Sequence, residues 1–248
     1  MAKIIFIVLL ALSANAKYPQ WLQDSVKVVA EFEQPNRYIP SYVEGYGFVI
    51  NYNLVLTSAK IVFNKKKADE ITLYHTEVLG QPIACLSHAK ILALDDNLDL
   101  AVLEVERFTD IYCNILPTPN FRELSFQKTY FNLFKKPIQT SLQTLLGENL
   151  KISYFSEQDW SEFLRSRIAF RDFLDFSKEE KEKMLGMPLF IENDFLGLKV
   201  KEFPNASSES LKVGILTHKE ILDFLCKLEN ETLVFKNKKD LKEFCKQP

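Results

Sequence analysis

Gly45-Tyr-Gly-Phe-Val-Ile50 runs through Asn51-Tyr-Asn53 into Val55-Leu-Thr-Ser-Ala-Lys60. Aromatic and β-branched residues on both sides of a short polar turn predict a hairpin. It sets residues 54–57 antiparallel to 48–50 and leaves Lys60 just past the second strand. Working outward, the valine-rich stretch 26–32 reads as a preceding strand, and the prolines of 35–40 as a loop between the two. Further short strands are expected over 71–74, 83–86, 90–94 and 100–105, the last delivered by the turn Asp95-Asp-Asn-Leu-Asp99. Short strands at this spacing, with no internal repeats or low-complexity tracts, favour an all-β barrel or sandwich.

The second half departs from that rhythm. Trp160, Phe163, Leu164 and Ile168 recur at three- and four-residue steps, a helical period. Ser177 followed by Glu180 forms a capping box, predicting a short helix from 178 to about 185, with Gly186 placed to end it. Residues 200–203 and 211–216 read as a hairpin around Asn205-Ala-Ser-Ser-Glu-Ser210. Residues 218–228 read as an amphipathic helix with Ile221, Leu222, Leu225 and Leu228 on one face. His75, His88 and His218 are expected at the surface or at a rim.

Two further blocks follow the opening one: Asp99-Leu-Ala-Val-Leu103, then Gly186-Met-Pro-Leu-Phe190 with Asn193-Asp-Phe-Leu-Gly-Leu198. In this order the three resemble the active-site blocks of trypsin-like serine proteases, closest in pattern to bacterial exported ones. The resemblance implies an all-β fold of two six-stranded β-barrels, a trypsin-like double barrel, with a C-terminal α-helix and a helical insertion in the second half. It places the domain at 17–228, with barrel one at about 25–115 and barrel two at about 125–216, and leaves 229–248 as a tail. It also assigns the triad positions. Lys60 stands where the family has its histidine, Leu185 where it has its serine, and only Asp99 keeps its expected identity.

In that chemistry serine attacks, imidazole takes its proton, and the carboxylate holds the imidazole in the right tautomer. Leu185 offers no nucleophile. Lys60 would act as a base only if its pKa fell far below about 10.4, and a neighbouring carboxylate pushes it the other way. The expectation is a buried Lys60–Asp99 ion pair with a structural role, whose loss would cost roughly 3–5 kcal/mol. A helix ending at Leu185 would also present carbonyls where an oxyanion needs N–H donors. No residue is therefore expected to be catalytic, with Ser58 the alternative nucleophile in a non-standard serine–lysine arrangement.

Lys3, the apolar run 4–12 and Ala14-Asn-Ala16 form an export leader, residues 1–16, too short to span a bilayer. In an exported chain Cys85, Cys113, Cys226 and Cys245 are read as disulfides. Three pairings are open, and order along the chain favours Cys85 with Cys113 and Cys226 with Cys245, the second pinning the tail. Cys85 and His88 supply half of a zinc site, but no second close-spaced ligand pair exists, so no metal and no cofactor is expected. Two sequons, at Asn205 and Asn230, matter only in a host that glycosylates exported chains. The 248 residues are 47% hydrophobic and 26% charged with net charge −2, without the basic excess of a nucleic-acid surface. The expected function is a periplasmic or secreted pseudo-protease that binds a protein or peptide partner. The alternative is an active serine-type endopeptidase built on Ser58 and Lys60.

Overall fold

The computed structural model describes residues 25–33, 39–75, 84–115, 117, 131–134, 137–138, 142–148, 150–158, 162–192, 194–232 and 245. The expected leader, most of the proline-containing loop, Ile83 and Trp160 lie outside them. The strands are β1 (Ser25–Glu31), β2 (Tyr42–Ile50), β3 (Leu54–Ser58), β4 (Phe63–Asn64), β5 (Lys66–Lys67), β6 (Glu70–His75), β7 (Cys85–Asp95), β8 (Leu100–Phe108), β9 (Lys151–Gln158), β10 (Glu162–Ala169), β11 (Pro188–Ile191), β12 (Asp194–Lys199) and β13 (Ile215–Thr217). The helices are α1 (Ala59–Val62), α2 (Leu142–Gly147), α3 (Phe170–Leu174), α4 (Lys178–Lys183), α5 (Glu209–Lys212) and α6 (His218–Thr232).

The first half closes into a barrel in the order β1-β2-β3-β8-β7-β6, with β1 pairing β6 to seal the ring. The opening hairpin forms as the sequence predicts, β2 against β3, with a 3-10 turn at Asn51–Asn53 between them. Burial explains two kinds of strand in this ring. Along β1, Val26, Val28 and Ala30 are buried and alternate with half-buried neighbours, the period of a strand with one face in the core. In β2, β3 and β8 the apolar residues are continuous because these strands separate two cores. Val49, Val55, Ala101 and Leu103 fill the barrel interior, while Phe48, Ile50, Leu54, Leu56, Leu100 and Val102 face the second half. Phe48 stacks on Phe195 at 4.8 Å and meets Phe190 edge-on at 5.7 Å, bridging the halves.

Residues 85–95 form one strand rather than the two expected. Register shifts at His88/Ala89 and between Ile91 and Ala93 let β7 stay paired to β8 through the Ser87-His88 stretch. The disulfide Cys85–Cys113 ties the start of β7 to the turn after β8, and Cys226–Cys245 ties α6 to the following tail. Cys85 is thereby spent and leaves no thiolate to share a metal with His88.

The second half is not a closed barrel among the described residues. It is a five-stranded sheet in the order β10-β9-β11-β12-β13. The helix expected around 160–168 is instead strand β10, paired to β9 with Ile168 opposite Ile152. Four apolar positions in so short a window do not fix a period, and the pairing with β9 decides the conformation. The hairpin expected around 205–210 is displaced: β12 ends at Lys199, which pairs with Ile215, and α5 occupies the connection. Val200 and Lys201 leave the ladder because their N–H groups go to Gly214 O and to the Asp99 carboxylate. Helix α6 forms as expected and buries Ile221, Leu222 and Leu225.

His218 is not at the surface. At the start of α6 it is buried, its Nε2 lies 2.7 Å from Leu133 O, and its ring packs edge-on against Phe195. Burial lowers its pKa, and the bond to Leu133 opposes this only in part. A base with a depressed folded pKa contributes stability that is complete above the unfolded value of about 6.5 and is lost as pH falls through the folded one. Urea unfolding midpoints are therefore expected to fall as pH drops below about 6.5, with a shallower dependence in His218→Gln.

Candidate functional site

The site is assembled by backbone. Strand β3 ends at Ser58, and the single turn α1 begins with Ala59 donating its N–H to Asp99 O at 3.0 Å. Asp99 closes the turn before β8 with φ +53, a left-handed conformation that Asp tolerates better than most residues. Asp95 braces that turn by accepting from the N–H groups of Asn97 and Leu98.

The Asp99 carboxylate is 2% exposed and accepts three hydrogen bonds. Lys60 N–H donates to Oδ1 at 2.8 Å, while Ser58 Oγ and Lys201 N–H donate to Oδ2 at 2.7 and 2.6 Å. Burial raises its pKa above the usual carboxylate value, and the three donors pull it down only in part. The expected Lys60–Asp99 ion pair does not form. Lys60 reaches Asp99 through its amide, and its side chain turns outward to place Nζ 3.2 Å from Glu182 on α4. With both Asp99 oxygens occupied by neutral donors, the long lysine chain keeps its ammonium in water.

Leu185 is brought to the same place from the other direction. The capping box is present, with Ser177 Oγ accepting from Glu180 N–H and Glu180 Oε2 accepting from Ser177 N–H, and α4 starts as predicted but ends at Lys183, leaving Leu185 in the turn that follows. The turn that follows consumes its own donors. Met184 N–H bonds Lys181 O, Leu185 N–H bonds Glu182 O, Gly186 N–H bonds Lys199 O, and Met187 N–H bonds Met184 O. Leu185 O accepts from Tyr46 N–H at 2.8 Å. Gly186 has φ +77, and a Cβ there would overlap Tyr46 O, so glycine is required on both steric and conformational grounds. A Cβ at Gly45 would likewise overlap Ile61 and crowd Leu185 O, so this glycine of the first block lets β2 and α1 pack against the Leu185 turn. The Leu185 side chain is 5% exposed and belongs to the interior cluster of the barrel.

Ser58 is fully buried and donates its hydroxyl to Asp99. A proton held by a carboxylate in the core, with no amine at the hydroxyl among the described residues, does not make a serine–lysine nucleophile.

One functional-looking residue is not singled out by the sequence reading. Lys199 is 1% exposed, donates to Val200 O at 2.6 Å and to Gly214 O at 3.2 Å, and has its pKa pushed down to about 8 by burial. The signal is a lysine inside the apolar run Phe195–Val200. A cavity of about 380 Å³ opens beside Leu185, walled by α1, α4 and the segment after β12.

No family model matches the chain, and no curated protein matches it. Among solved structures, it is similar to the Rv3671c protease of M. tuberculosis in its active form, at 16% identity and TM-score 0.47, over 84% of this chain and 81% of that one. The inactive form of the same protease gives 17% identity and TM-score 0.45, over 84% and 89%.

Two variants separate the roles of the carboxylate and the lysine. Asp99→Asn sets an amide NH₂ against one or more of three donors and is expected to cost about 1–3 kcal/mol in urea unfolding. Lys60→Met removes only an exposed ion pair and is expected to change stability by less than about 1 kcal/mol, the reverse of what a buried Lys60–Asp99 pair would give.

Proposed function

We propose that this chain is an exported trypsin-like pseudo-protease, catalytically inactive, that acts as a protein- or peptide-binding scaffold. The observation that carries the reading is the closed state of the Leu185 turn. An apolar side chain plugs the barrel where a nucleophile would stand, and the N–H groups from Met184 to Met187 are all bonded within the protein. Oxyanion stabilisation needs donors aimed at an incoming oxygen. Loss of nucleophile and base together removes on the order of 10⁶ in turnover. The leader pattern and the two disulfides support export to an oxidising compartment. Among the described residues no helix is long and apolar enough to cross a membrane. The cavity beside Leu185 leaves a place for a partner segment.

The test is incubation with a fluorophosphonate probe and a broad fluorogenic peptide set. Neither labelling nor turnover is expected. Labelling abolished by Ser58→Ala would instead establish the endopeptidase alternative. Leu185→Ser restores a hydroxyl but is expected to remain unlabelled while losing about 2–5 kcal/mol of stability, because the barrel loses its plug.

A further inference from the structure

We infer that the cleft beside Leu185 selects acidic peptide segments, in which carboxylates flank an apolar residue. The inference deepens the scaffold reading and rests on it. Lys60 from α1, Lys178 and Lys181 from α4, Lys199 from β12 and Lys201 just after it all line one cavity of about 380 Å³. The chain as a whole carries a net charge of −2, so this convergence is a local positive field set against the global balance, of the kind that concentrates anions in a cleft.

The lysines are not equally engaged. Lys60 and Lys181 lie 3.2 and 3.0 Å from Glu182 and Glu202, and Lys199 is bonded to backbone carbonyls. Lys178 and Lys201 are exposed and make no ion pair among the described residues, Lys201 resting its ammonium 5.2 Å from the Phe203 ring centroid. Those two cations are available to incoming carboxylates. The nearly buried Leu185 lies at the floor of the cavity and the exposed Pro204 at its wall, which gives an apolar side chain a surface to rest on. Glu182 and Glu202 break up the positive wall, so a dense polyanion would meet two carboxylates, whereas a peptide can place its charges against the lysines alone.

Fluorescence anisotropy on the full chain tests this with a short labelled peptide of a central leucine flanked by glutamates, and its glutamine counterpart. The acidic peptide is expected to bind more tightly, to weaken as salt rises, and to lose about tenfold in affinity on Lys178→Gln/Lys201→Gln. Both lysines are exposed, and an unchanged melting temperature confirms that this variant folds. Equal affinity for the two peptides, or an unaltered affinity in the double variant, overturns the charge selectivity and leaves the scaffold reading standing. Tighter capture of a sulfated oligosaccharide than of the acidic peptide also overturns it. Failure of both peptides and of a mixed-sequence peptide library to bind overturns the scaffold reading with it.

Discussion

The buried Asp99 carboxylate is the constraint on which the rest of the structure depends, because two distant chain segments must deliver three donors to it at once. Removing a carboxylate from water costs several kcal/mol unless hydrogen bonds replace the lost solvent. Here the replacements are the Ser58 hydroxyl and the amides of Lys60 and Lys201. Two come from the end of β3 and the start of α1, and the third from the chain just past β12, so the group fastens the barrel to the second sheet. Its raised pKa says that burial outweighs the donors. Moving any of the three would leave the charge under-solvated, which fixes where α1 begins and where β12 must leave its ladder.

Around that point the two halves share strands rather than merely touching. β2, β3 and β8 carry one row of side chains into the barrel and the other into the second core. A one-residue slip in any of them would exchange the two rows. The glycines at 45 and 186 belong to the same arrangement, since each permits a backbone approach that a Cβ would block.

Much of the barrel was legible in the sequence for this reason. The run Phe48–Ile50, the turn at 51–53, the run Leu54–Thr57 and the turn ending at Asp99 are local patterns whose physics is local. The capping box at Ser177 was legible on the same terms. What was not legible depends on partners far along the chain. Phe163, Leu164 and Ile168 fit a helical period until β9 lies beside them. The Lys60 side chain was expected at Asp99 because motif order brings the two residues together. Order does not say whether amide or ammonium makes the contact. His218 meets Leu133 and Phe195, and Lys199 meets Gly214, partners that their immediate sequence does not announce. The second barrel was expected from the resemblance alone, and among the described residues the order β10-β9-β11-β12-β13 makes an open sheet.

A hydrolytic site holds polar groups in deliberate incompleteness: donors without acceptors, and a base without a bound proton. Such groups cost stability and persist only where function requires them. Each group that would be left open is completed in this chain. The amides from Met184 to Met187 have carbonyl partners, Ser58 has a carboxylate, Asp99 has three donors, and the Leu185 side chain packs in the barrel interior. Polar satisfaction and core packing therefore point the same way around Asp99 and Leu185, which is what the pseudo-protease reading requires. On the scaffold reading, this completion frees the rim of the cleft from the demands of catalysis. That rim carries Lys60, Lys178, Lys181 and Lys201, on short elements whose backbone is already held by Asp99 and by the capping box.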